Sequence, residues 1–592
     1  MSEFIAVAPS HSQSSDAQPP HAGLARASRL AWYAFWALGL LLLLPGLRVG
    51  PVFDDWFHAY DVKAPSGWWR NLFGLYEFFH ADQVNQAREY GMLPWWSDDR
   101  LSIAFLRPLS SLLLGIDHLW LDGGGLWSHL HALVWYGLVL LAASRVLRLL
   151  FAPAAARWAS ALFAISSVHV LPLAFVASLY AHVTAVFALL SFECLIRAVS
   201  LEQTERARAR RLQLWSALWF LIACAGGESA IVLLPMAFAY LWAERGAARA
   251  LVLLVPHIVT TLLYLAVYFS LDYGSHHSGA YLQPGSLELL RACVPRWLVL
   301  VAGLFAGFPP DLWLYGAQPV QVAVGLVALL LAGLALRSLV SSSELERATA
   351  RRLVALCAGA LVALLPLTSG IPGGRLLLLP SVVGSALFAL AARRAAHDWV
   401  EAQKLRSLLL GAWVALFGIG LHPLFRALVP ADMARIGKEL PAVARAIAER
   451  CHGQTVLAVG VPDPNAAYVS ALFLGMPAAE RPDVLHLLSM APGRHRLSQT
   501  DSARFELQID GSLLALPWAR IYRDTPVPTP LARHLRGVDV EVLEASADST
   551  RLALHVPAGA PRCWLTLQQG ELVPLAPTPG KTLDWTPTAR PR

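Results

Sequence analysis

Asp54 and Asp55 stand side by side in FDDWFHAY, a few residues past the first long apolar stretch of the chain. Adjacent carboxylates repel each other, which can lift one pKa and supply a base near neutrality. Arg107 opens RPLSSLLLGIDHLWL, where Pro108 suits the first turn of a helix. A guanidinium at that boundary could bind a phosphate in a bidentate way. Glu228 in ACAGGESAIVLLP and Arg375 in SGIPGGRLLLLPS each fall at a short turn between apolar spans. An acid so close to lipid is costly unless it has a partner or faces a polar cavity. Arg375 could anchor to lipid headgroups or hold a substrate phosphate.

The histidines invite a metal reading. His129 and His131 open a span, His169 and His182 lie near the ends of others, and His276 and His277 share a loop. None has the H-E-x-x-H or cysteine-rich spacing that makes zinc specific, so His129 is kept only as a supporting residue. Tyr281, in DYGSHHSGAYLQPGS, is a candidate for the wall of a substrate groove. The remaining acids of the first loop, among them Glu77, Asp82, Glu89, Asp98 and Asp99, read as solvated charges. No cofactor is required by this set, and a divalent metal on the carboxylate pair stays open but is not favoured.

Long apolar helices must position these residues. Of 592 residues, 56% are hydrophobic and 15% charged, and the mean hydropathy is +0.50. A soluble globule carries nearer a quarter charged residues, so the composition specifies a polytopic membrane protein. Residues 29–50 read as a first span with no small-residue cleavage pattern behind it, an anchor and not a removed signal. Further spans are expected at 126–148, 155–177, 179–197, 212–225, 228–243, 250–271, 319–337, 353–369, 376–393 and 406–424, about 11 crossings in all. The net charge of +7 comes from arginines grouped in short loops, the positive-inside pattern and not a nucleic-acid footprint. Charge parity then places loop 49–107 outside, with interfacial helices in it, and makes 289–308 re-entrant or interfacial.

The sequence divides into a disordered cytoplasmic tail at 1–28, a membrane domain at 29–424 and an extracytoplasmic domain at 425–592. The last shows a helical pattern, then the buried-strand run TVLAVGV and short alternating runs, which reads as a small α/β or α+β domain. Cys451 and Cys563 in that domain could form a disulfide, although spacing alone cannot give their separation. The whole is expected in the inner membrane of a bacterium.

FDDW after the first span, LRPLSSLLLGIDHLWLDGGGLWSHLHAL before the second, GGES ahead of a proline-bearing span and GGRLLLLPS late in the membrane domain come in a characteristic order. In this order the chain resembles the GT-C superfamily of membrane glycosyltransferases, nearest the branch of protein O-mannosyltransferases and their tetratricopeptide-bearing relatives. The resemblance covers about residues 29–424 and implies a catalytic acid in the first outer loop and a polyprenyl-phosphate-linked monosaccharide as donor. Carried over by position, it makes Asp54 or Asp55 the base, Arg107 and Arg375 the ligands of the donor phosphate, and Glu228 a supporting acid. The partners it implies are the lipid-linked sugar, a hydroxyl acceptor on a glycan, lipid or protein, and membrane lipid. The competing reading is a non-catalytic membrane protein, such as a lipid or sugar transporter or a glycan-assembly factor. Transporters commonly carry inverted repeats and midplane charges, whereas here no repeat is evident and the charges gather at the span ends.

Overall fold

The structure is a computed structural model that describes residues 37–63, 67–342, 345–401 and 403–588; the expected tail at 1–28 and the start of the first span lie outside the described residues. Among the described residues, eight helices are long and apolar enough to cross a membrane, or nine if the bent pair Pro153–Ile165 and Ser167–Ala174 forms one span. The chain is a polytopic helical membrane protein. Three expected spans fall outside that set. The first begins among residues that are not described, and only Ala37–Arg48 of it is seen; Arg206–Gly226 carries Arg206, Arg208, Arg210 and Arg211 in its first turns, and Leu233–Arg245 has only 13 residues.

Residues 289–308, expected to be re-entrant or interfacial, instead fall almost wholly within Leu287–Ala306, a 20-residue apolar helix that is one of the eight long enough to cross. Its end nevertheless turns back. Pro310 packs against Gly303, and the Arg296 guanidinium lies 4.9 Å from the Trp313 ring, so residues 307–317 return alongside the helix they leave. Gln318–Val340 then descends beside it, with Gly325 against the Leu298 carbonyl, where any side chain would clash. The bent pair, the late turn and this hairpin converge at one end of the bundle.

The loop at 49–107 is built differently from the interfacial helices expected of it. Trp68–Phe73 and Val84–Glu89 are helical, but Glu77–Phe79 between them is a strand. It pairs with Ser102–Ala104, which pairs in turn with Gly274–His276 of a later loop. Val84, Ala87, Leu93 and Leu101 pack together with Ala471 of the C-terminal domain, and Trp95 donates its indole N–H to the Leu488 carbonyl at 3.0 Å. The loop's apolar faces are thus buried against protein, where each large side chain contributes about 1.5–3 kcal/mol.

Position 425 lies inside one continuous rod, Lys404–Arg450, that joins the membrane part to the C-terminal domain. That domain has a six-stranded antiparallel sheet and a four-stranded mixed sheet. Its strands follow the period-two rule: in Arg504–Asp510, Phe505, Leu507 and Ile509 are buried and their neighbours are not. Thr455–Ala458 runs parallel to both Val484–Leu487 and Arg562–Gln568. Cys451 and Cys563 are disulfide-bonded and fix the end of the rod to this sheet.

Candidate active site

Where the converging elements meet the C-terminal domain there is a cavity of about 490 Å³. The rod supplies one wall through Phe425, Leu428, Val429, Asp432, Met433 and Ile436, a single helical face by their spacing. Pro309, Asp311 and Leu312 of the hairpin, and Gly374 and Arg375 of the late turn, supply another. Tyr468, Trp518 and Tyr522 of the C-terminal domain close it.

The two aspartates part company here. Phe53 is held at φ +48, a left-handed conformation unusual for a bulky residue, with its ring 5.6 Å from Phe175 and 5.8 Å from Tyr468. Asp54 follows and lines the cavity, its Oδ1 accepting the Tyr468 hydroxyl at 3.0 Å. Burial pushes its carboxyl above the ordinary 3.8, opposed by the Tyr468 hydrogen bond and the charges of Arg375 and Arg107. Asp55 points away and is fully buried. Its Oδ2 accepts from the Val52 N–H at 3.0 Å and its Oδ1 from the Ala177 N–H at 2.9 Å. Burial pushes this carboxyl up to about 8, against those two donors, which favour the charged form.

The arginines also separate. Arg375 stands in the turn Gly374–Leu377 and lines the cavity, its Nε donating to the Tyr180 hydroxyl at 3.1 Å. Arg107 is not part of the lining. It is 6% exposed, forked onto Glu228 with Nε to Oε2 at 2.9 Å and Nη2 to Oε1. Its guanidinium carbon sits 3.7 Å from the Tyr180 ring centroid and 4.5 Å from that of Phe105. Glu228 has therefore found its partner, and the pair holds the tyrosine that holds Arg375.

Tyr281 lines the cavity, and burial pushes its hydroxyl up to about 12. His129 does not reach it: the ring is buried and its Nδ1 is bonded to the Leu173 carbonyl at 2.8 Å, which makes it a packing residue. The described residues contain one group with donor atoms close enough to share a cation, Asp98, His277 and Asp524. It lies outside the cavity lining, and Asp98 already pairs with Arg523 at 3.3 Å.

Asp311 and Tyr468 were not foreseen. Asp311 accepts from the Gly374 N–H at 2.9 Å; burial raises its carboxyl, and the charge of Arg375 opposes the rise. Its signal was available, an acid in the short turn FPPDLW at the edge of an apolar segment. Tyr468 had none, since nothing in the C-terminal sequence points across 414 residues to Asp54.

No family model matches the chain, and no curated protein matches it. Among solved structures, it is similar to ArnT from Cupriavidus metallidurans bound to undecaprenyl phosphate, with 13% identity over 74% of this chain and 84% of that one and a TM-score of 0.36. It is also similar to the oligosaccharyltransferase of Archaeoglobus fulgidus in the apo form, with 12% identity over 78% of this chain and 65% of that one and a TM-score of 0.41. At this level the likeness assigns neither activity nor substrate.

Proposed function

We propose that the chain is an inverting GT-C-type glycosyltransferase that moves a monosaccharide from a polyprenyl-phosphate donor to a hydroxyl acceptor on the outer face of the membrane. The observation that carries this reading is the shared cavity of Asp54 and Arg375, walled by membrane helices and closed by the C-terminal domain. Asp54 is the base. It accepts the proton of the acceptor hydroxyl while that oxygen attacks the anomeric carbon; the bond from this carbon to the phosphate oxygen breaks, and its electron pair leaves with the polyprenyl phosphate. A carboxyl raised above its usual range is a better base for this step than an ordinary aspartate.

The leaving phosphate needs charge stabilisation more than protonation, and Arg375 supplies it. Before the donor arrives, the nearby Asp311 is the counter-charge of that guanidinium. Asp55, Arg107 and Glu228 act indirectly. Asp55 ties the Asp54 turn to Ala177, and the Arg107–Glu228 pair steadies Tyr180 beneath Arg375. No step in this scheme requires a metal.

The test is a mass-spectrometric comparison of surface glycans and glycoproteins between cells with the protein, cells without it and cells carrying Asp54→Asn. A hexose-sized or related monosaccharide increment that disappears with the gene and with Asp54→Asn supports the reading. A profile altered by deletion but untouched by Asp54→Asn favours the non-catalytic alternative. Transfer that persists in a chelator supports the metal-free scheme.

A further inference from the structure

A second, larger concavity opens on the side of the bundle. It is a groove of about 1440 Å³ between Leu233–Arg245, Ala247–Ser270 and Arg347–Ala363, bounded by the end of Gln318–Val340. Its bed is made of small residues, Ala239 and Ala243 on one helix and Ala355, Ala358 and Gly359 on another. Gly359 lets those two helices approach closely, since a Cβ there would meet the Ala239 methyl at 2.8 Å. Larger apolar side chains form the flanks, with Trp242, Leu251, Val354 and Val362 each 40% exposed or more.

The groove is charged at one end only. Arg347 and Arg351, one helical turn apart, line its mouth and are exposed, together with Glu346. Neither arginine has an acidic partner among the described residues, whereas the neighbouring Arg352 is taken by Glu244 at 2.6 Å. The mouth therefore keeps one net positive charge. From Arg347 to Val362 the helix rises roughly 22 Å, which reaches from a headgroup through one leaflet of a hydrocarbon core about 30 Å thick.

We propose that this groove holds one anionic glycerophospholipid, its phosphate between Arg347 and Arg351 and an acyl chain lying along the alanine bed. The depth fits a single leaflet, the walls fit a hydrocarbon chain, and the excess positive charge selects an anionic headgroup over a zwitterionic one. The groove is separate from the cavity of Asp54 and shares no lining residue with it, so the proposal stands whether or not the chain transfers sugar.

The experiment is native mass spectrometry of the purified full-length protein, equilibrated in micelles with equal amounts of phosphatidylglycerol and phosphatidylcholine. The expected wild-type result is a phosphatidylglycerol adduct favoured roughly fivefold, the weight of one net basic charge at an anionic headgroup. Arg347→Gln with Arg351→Gln leaves Glu346 and a net charge of −1 at the mouth, so the phosphatidylglycerol preference should be lost and turn towards phosphatidylcholine. Ala358→Phe, which fills the bed and leaves both arginines in place, should diminish the retained lipid of either kind. Equal adducts on the wild type, or a preference that survives the arginine exchange, would overturn the proposal. If the double variant does not fold, the wild-type preference and its response to Ala358→Phe decide the matter.

Discussion

Replacing Asp54 and Asp55 one at a time should damage the protein in two different ways, although the residues are neighbours and the substitution is the same. Asp54→Asn keeps an oxygen that can accept the Tyr468 hydroxyl, so the fold should be preserved. It removes the base, and general base catalysis is worth about 10²–10⁴ in rate, or roughly 3–5 kcal/mol of activation free energy. Donor KM should change little. Above pH about 8, where the Asp55 carboxyl is charged, Asp55→Asn instead replaces one of two accepting oxygens, the partners of Val52 and Ala177, by an amide that can only donate. One buried backbone N–H then faces another donor, at a cost of about 1–3 kcal/mol. Its signature is a lower melting temperature in detergent with a smaller loss of transfer per folded molecule. The assay is transfer from a radiolabelled polyprenyl-phosphate sugar, read beside thermal melting of the same samples. If Asp55→Asn abolishes transfer at unchanged melting temperature, or Asp54→Asn retains transfer, the assignment of the base is wrong.

Three further outcomes follow from the same geometry. Tyr468→Phe removes a hydrogen bond that favours the charged form of Asp54, so its pKa should rise further. Because the base must be deprotonated, the ascending limb of kcat/KM against pH should move to higher pH, and an unmoved limb would deny Tyr468 that contact. Arg375→Gln removes charge-assisted hydrogen bonds worth about 1.5–3 kcal/mol, so competition by polyprenyl phosphate should weaken roughly ten- to a hundredfold. Arg107→Gln strands Glu228, which should cost up to about 3 kcal/mol, the low end for a broken buried pair. Because Glu228 keeps 32% of its side chain exposed, Arg107→Gln with Glu228→Gln should recover much of the melting temperature.

The parts of the molecule governed by local rules could be read from the chain. Apolar length located most of the spans, whereas counting sides from the arginines led away from Leu287–Ala306; Pro108 marked the start of Pro108–Trp120, with Arg107 as its cap residue. Of the residues singled out, Asp54, Tyr281 and Arg375 do meet in one cavity. Arg107 and Glu228 were each readable as needing something, but that they satisfy one another depends on tertiary packing across 121 residues. The difference between Asp54 and Asp55 is likewise set by a distant backbone N–H, that of Ala177. The strand at Glu77–Phe79 was hidden for a similar reason, because its partner depends on a third strand from a loop some 170 residues on.

The most direct test is a cryo-electron microscopy structure of the protein with polyprenyl phosphate. The account predicts the phosphate within hydrogen-bond reach of Arg375, in the same cavity as the Asp54 carboxylate. A phosphate bound elsewhere, with Asp54 turned away from it and no open path between them, would contradict the account.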